Sequence, residues 1–164
     1  MTGSAGPGHS SASSRDWLRV IKRDARSRAI ADLLDKYGTT IEKARWIHGT
    51  GRLAVPKGGV YLYLWKPGDG KAADIEIVGV EFSFSGMRGG VEYTGHVPFR
   101  IAPGDSPDQI RKKLRPRRVE MNETSRTATA MDRTHRFVAR FDSRGRLAAL
   151  AILCRFTIRR RAKS

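Results

Sequence analysis

Apolar positions at Leu18, Ile21, Ala25, Ala29 and Leu33 recur at helical spacing, with Trp17, Ile30, Leu34 and Tyr37 beside them. They predict a helix from Arg15, capped by Ser14 and closed by Gly38 as a left-handed terminator. The polar run "KRDARSR" in its middle leaves it exposed over most of its circumference or breaks it there. A second short helix is predicted within "TTIEKARWIH", before Gly49.

After Gly51 the period changes to that of strands. "GVYLYLW" (59–65) is β-branched and aromatic, and "KPGDGK" turns the chain. "DIEIVGVEFSF" (74–84) alternates, but its apolar parity switches at Val78-Gly79, which predicts a β-bulge or a bend. "VEYTGHVPF" (91–99) reads as a further extended segment, with Pro98 confined to an edge or to its end. In "GDSPDQIRKKL", Ser106 caps, Pro107 suits the first helical position and Gln109 completes a capping box, so a helix runs to Leu114, before Pro116. Residues 115–131 are polar and read as a long loop or an irregular arm. "THRFVARFD" (134–142) alternates, "SRGR" turns with Gly145 able to take positive φ, and "LAALAILCRFTI" (147–158) returns as the last strand.

The order predicts an α+β domain: an antiparallel sheet of about five strands with the N-terminal helices and one short helix on one face. Residues 1–13 read as a disordered tail, 14–158 as one domain, and 159–164 as a basic tail. No internal repeat is visible.

Charge changes the picture more than composition does. Over 164 residues the formal net charge is +16, which argues for an anionic partner. Residues 1–100 carry a net +5 and residues 101–164 a net +11, so the basicity is concentrated in the last third. Arginine dominates there, which favours planar bidentate contact with phosphate or carboxylate. No apolar segment reaches the roughly 18 residues of a membrane-spanning helix, and the N-terminus lacks the apolar core of a secretory signal. A cytoplasmic protein is the expectation.

Arg111, Lys112, Lys113, Arg115, Arg117 and Arg118 place six cations in eight residues. A helix C-terminus favours cations through its dipole, which accounts for Arg111, Lys112 and Lys113 without any partner. Arg115, Arg117 and Arg118 lie beyond the helix, and both readings stay open: a solvated structural face, or contact with a partner or with phosphate. Arg159, Arg160 and Arg161 in the tail are candidates of the same kind, able to bind nucleic acid by releasing counterions.

Four segments together carry a resemblance: "GVEFSF" (79–84), "YTGHVPFRI" (93–101), "GDSPDQIRKKL" (104–114) and "RFVARFDSRGRLAALAI" (136–152). They are similar to bacterial toxin-immunity-like domains, in which a "G-I-E-x-x-F" strand precedes "Y-x-G-x-L-P", a capped helix ending Leu-Gly-x-Pro, and an "F-D-x-x-G-x-L" hairpin. The helix-and-hairpin half also resembles β-lactamase-inhibitor-like and outer-membrane assembly lipoprotein folds. The resemblance spans about 75 residues and implies a non-enzymatic inhibitor of a toxin or effector. Two departures stand out. Arg115 occupies the family's glycine position, and the charge is basic where many immunity proteins of nucleases are acidic. The implied toxin therefore offers an acidic surface.

Other chemistries are less well supplied. The single cysteine, Cys154, sits in an apolar run and reads as a buried small hydrophobe. His9, His48, His96 and His135 have no metal-ligand spacing, and no metal or cofactor is expected. His96 and His135 with Glu81 or Glu92 would form the acid/base set of a small basic nuclease toxin if the fold joined them. Tyr61, Tyr63, Trp65, Phe82, Phe84 and Tyr93 would form a stacking platform for nucleic acid if they shared an open sheet face, or a core if they did not.

Overall fold

The computed structural model describes residues 13–66, 75–85, 90–116 and 126–155, and the backbone of 118–122. Its centre is one eight-stranded antiparallel sheet, which overturns the expected α+β arrangement of five strands: the molecule is β-rich, with few short helices. Helices α1 (Ser14–Leu18) and α2 (Arg28–Lys36) precede strands β1 (Arg45–Ile47), β2 (Thr50–Val55), β3 (Val60–Trp65) and β4 (Glu76–Ser83). Helix α3 (Pro107–Leu114) precedes β5 (Arg118–Asn122), β6 (Thr127–Met131), β7 (His135–Phe141) and β8 (Leu147–Cys154).

The spatial order is β1-β2-β3-β4-β8-β7-β6-β5. Each half is thus a helical segment followed by a four-stranded meander, and the halves join where β4 pairs β8. The architecture repeats although the sequence does not.

Four predicted strands are present with nearly the predicted limits: β3, β4, β7 and β8. The β4 bulge is there too, since the register shifts where Tyr63 faces Gly79 and Leu64 faces Ile77, leaving Val78 extra. Four strands were not expected. β5 and β6 lie in the supposed loop 115–131, where the strand signal is only "TATAM". Its inward residues are Ala128 and Ala130, both buried, and α3 lies over this end of the sheet. Two alanines suffice where a helix packs close, but they give almost no hydrophobic pattern. β1 and β2 replace the second helix, of which only a 3₁₀ turn, Ile41–Lys43, survives. The predicted strand at 91–99 is not a strand. It is a loop that ends in a 3₁₀ turn and sends Tyr93, Val97 and Ile101 into the core.

The long first helix is broken, as its polar middle allowed. Ser13, not Ser14, caps α1, in a capping box with Asp16. Residues 22–25 leave helical geometry to bond the start of β4, Lys22 N–H donating to Ile77 C=O and Ala25 N–H to Ile75 C=O. α3 has the expected box: Ser106 Oγ accepts from Gln109 N–H, and Gln109 Oε1 accepts from Ser106 N–H. In the β7–β8 turn, Asp142 accepts from the N–H groups of Arg146 and Arg144, which hold its carboxyl below the usual range.

All three helices cover one face. Trp17, Ile30, Leu34, Ile110 and Leu114 pack there with the inward row Leu62, Val80, Ile152 and Phe137, whose members lie in register across β3, β4, β8 and β7. Phe82, Phe84 and Tyr93 form an aromatic cluster on this side, with Phe82 and Tyr93 ring centroids 4.7 Å apart. Gly59 marks a close approach. Its φ is +66°, and a Cβ there would stand 2.7 Å from the Tyr93 backbone nitrogen. This latches the β2–β3 turn to the 90–101 loop. No helix among the described residues covers the other face.

Candidate open-face binding site

On the uncovered face the central strands β4 and β8 present small residues, Gly79 and Ser83 from one and Ala149 and Ala151 from the other, all in pairing register. Between them stands Glu81, opposite Ala151, its side chain only 3% exposed. A buried carboxylate is costly unless paired and hydrogen-bonded. Here three groups satisfy it. Arg52 Nη2 donates to Oε1 at 3.0 Å. Tyr63 Oη donates to Oε2 at 2.5 Å, and Arg140 Nη2 bonds the same oxygen.

The strand order explains how these residues meet. Arg52 lies on β2, two strands from β4 on one side; Arg140 lies on β7, two strands away on the other. Arg140 reaches inward over β8, where Ala149 and Ala151 leave it room. Arg52 reaches over β3, where aromatic rings support it: its guanidinium carbon lies 3.7 Å from the Tyr61 ring centroid and 5.8 Å from that of Tyr63. Stacking of this kind fixes the plane of the fork. Burial first, and the neighbouring Glu81 charge second, push the Tyr63 hydroxyl up to about 12, so it remains a donor at any physiological pH.

The arginines are not consumed by this arrangement. Their side chains are 44% and 43% exposed. Arg45 pairs with Arg52 in register, and Arg136 with Leu153, so both stand on the same face. The described strand side chains of this face thus hold four arginines against Glu76 and Glu81. Half-buried Tyr61, Tyr63, Trp65, Val138 and Leu153 surround them.

The residues predicted from the cation run have different positions. Lys113 is committed to the fold: its Nζ donates to Asp105 Oδ2 at 2.6 Å and to Arg100 C=O at 2.7 Å, tying α3 to the loop before it. Arg111 makes an exposed pair with Asp108 at 3.7 Å, and Lys112 and Arg115 are exposed. The backbone of Arg118 pairs with Met131 on β5, a strand rather than a loop. The Arg118 side chain, Arg117, Arg159, Arg160 and Arg161 lie outside the described residues.

The possible nuclease set is not assembled around Glu81. His96 lines a shallow cavity of about 420 Å³ with Ser14, Arg15, Leu18, Arg19, Val97 and Pro98, on the helix side. Glu81 points to the opposite face. His135 Nδ1 lies 2.8 Å from Thr134 Oγ1. Among the described residues no group of three or more His, Cys, Asp or Glu side chains could hold a metal ion. Cys154 is buried, as expected. The aromatics divide: Phe82, Phe84 and Tyr93 belong to the core, while Tyr61, Tyr63 and Trp65 stand on the open face.

Arg52, Arg140 and Glu81 as a unit escaped the sequence reading. Each sits in an ordinary alternating strand, and only the pairing of β4 with β3 on one side and β8 on the other brings them together. The one signal was a glutamate, Glu81, inside an otherwise apolar strand, flanked by Val80 and Phe82.

No family model matches the chain, and no curated protein does. Among solved structures, an extracellular protein containing an SCP domain from Bacillus anthracis str. Ames is similar in fold, with a TM-score of 0.55 and 14% identity. The match covers 99% of this chain and 52% of that one, so this chain spans about half of that protein's length. At this identity the likeness is of fold alone. No helix among the described residues is long and apolar enough to cross a membrane.

Proposed function

We propose that this chain is a non-enzymatic protein-binding module that docks an acidic protein surface on the open face of its sheet, in the manner of an immunity-type inhibitor of a bacterial toxin or effector. The observation that carries the reading is the Glu81 cluster. It holds two arginines at fixed positions in the middle of a face that no helix covers among the described residues. Such a face, basic with aromatic and aliphatic residues among the charges, has the composition of a protein-interface centre, where arginine and tyrosine are enriched. The overall charge of +16 supports an acidic partner and would speed its encounter. The resemblance to toxin-immunity-like domains points the same way.

Nucleic acid is the second reading, favoured by the net +11 of residues 101–164. Purification from the source cell at low salt, with and without nuclease treatment, separates the two. A protein retained after nuclease treatment and released by salt supports the first reading. Retention that disappears with nuclease overturns it.

A further inference from the structure

Resting on that reading, we infer that Arg52 and Arg140 form a receptor for a carboxylate: an aspartate or glutamate side chain of the partner, bound by the exposed donors of the two guanidiniums. Each guanidinium offers five N–H donors in a planar fork. Glu81 takes a donor from Nη2 of each, and the side chains remain 44% and 43% exposed, so donors are left over. The cluster of two arginines and one glutamate carries a net positive charge. Glu81 therefore does two things. It holds two like charges closer than they would otherwise stand, and it fixes forks that would otherwise lose rotamer freedom on binding. A carboxylate that arrives finds a bidentate site already oriented.

The aromatic groups argue for a carboxylate and against a base-stacking platform. A stacking platform needs free ring faces. One face of Tyr61 is taken by the Arg52 guanidinium at 3.7 Å, and the Tyr63 hydroxyl is bonded to Glu81. Tyr61 and Tyr63 hold Arg52 in place, and Tyr63 also holds the Glu81 carboxylate. The small residues of β4 and β8 have the same implication: Ser83, Ala149 and Ala151 are nearly buried already, at 5%, 8% and 4%. They offer no apolar cleft, so what the face presents to a partner here is the exposed part of the two guanidinium side chains.

The test uses a fluorescein-labelled octaglutamate peptide, and a single-stranded oligothymidylate of equal charge, by fluorescence anisotropy at about 50 mM salt. The triple variant Glu81→Gln/Arg52→Gln/Arg140→Gln removes the cluster without stranding a buried charge. The control, Arg111→Gln/Lys112→Gln, removes more positive charge, but from the exposed helix α3. The inference expects the triple to weaken peptide binding about tenfold or more and the control about threefold or less. It also expects Glu81→Gln alone to weaken peptide binding although it makes the cluster more positive, because the two forks lose the carboxylate that orients them; binding as tight as the wild type overturns the orienting role of Glu81. Equal weakening by the triple and the control overturns the carboxylate receptor but leaves the acidic-partner reading standing. Failure of the wild type to bind the peptide overturns that reading itself. Oligothymidylate bound more tightly than peptide, and lost in the triple, overturns both in favour of nucleic acid.

Discussion

Arg140 and Glu81 are bonded to each other across the line where the two halves of the sheet join, although 59 residues separate them. Arg52, from the first half, bonds the other oxygen of the same carboxylate. One side chain thus ties both meanders together on the face opposite the core.

The first prediction concerns that tie. Glu81→Gln keeps the size but puts an amide, with donors of its own, against arginine donors. It should cost about 1–3 kcal/mol in urea unfolding, less than a fully buried pair because both arginines can regain water. In a double-mutant cycle, Glu81→Gln and Arg140→Gln should couple by more than about 0.5 kcal/mol. Simple additivity would show that the pair contributes nothing to the fold.

Tyr63 gives a pH signature. Its hydroxyl is raised from 10.0 to about 12 by burial and by Glu81, so the folded state favours the neutral phenol. The stability this contributes is fully present below pH 10 and is lost as pH rises towards about 12. Alkaline melts should therefore fall more steeply for the wild type than for Tyr63→Phe over that window. Parallel curves would contradict a phenol held neutral by its burial beside Glu81.

At the α3 end, two lysines of one run should behave differently. Lys113→Met takes the ammonium from the buried Asp105 carboxylate, which keeps the Ala102 N–H, and should cost about 1–3 kcal/mol. Lys112→Met, on the exposed side, should change stability by less than about 0.5 kcal/mol. Ser106→Ala, which removes the cap, should cost about 1 kcal/mol. Thermal melts of the three order them, and equal effects of the two lysine variants would refute the division.

Gly59→Ala should be among the harmful single methyl additions. The left-handed φ costs roughly 1 kcal/mol for alanine, and the new Cβ meets the Tyr93 backbone, which cannot turn aside. A stability equal to the wild type would mean the β2–β3 turn is not latched to the 90–101 loop.

These contrasts also show what the sequence could disclose. Local chemistry was readable: the Ser106 box, the Gly38 and Gly145 turns, the Val78 bulge, and four strands whose apolar residues alternate. What failed was set by neighbours. Ala128 and Ala130 are core residues only because α3 lies close above them. Tyr93, Val97 and Ile101 have strand-like composition but reach the core from a loop. Of the cation run, Lys113 was legible as helix-end chemistry, but its specific tie to Asp105 and the Arg100 carbonyl was not. The Glu81 site depends on pairing β4 with β8, a contact about 70 residues long in sequence, and no local pattern encodes it.

The central claim is that the open face binds, and nitrogen-resolved NMR with the octaglutamate peptide tests it most directly. The account predicts that the largest shifts fall on the side-chain Nε–H groups of Arg52 and Arg140 and on the amides of Ala149, Ala151 and Tyr61, with α3 unmoved. Shifts centred on Arg111, Lys112 and Arg115, with Arg52 and Arg140 unchanged, would contradict it.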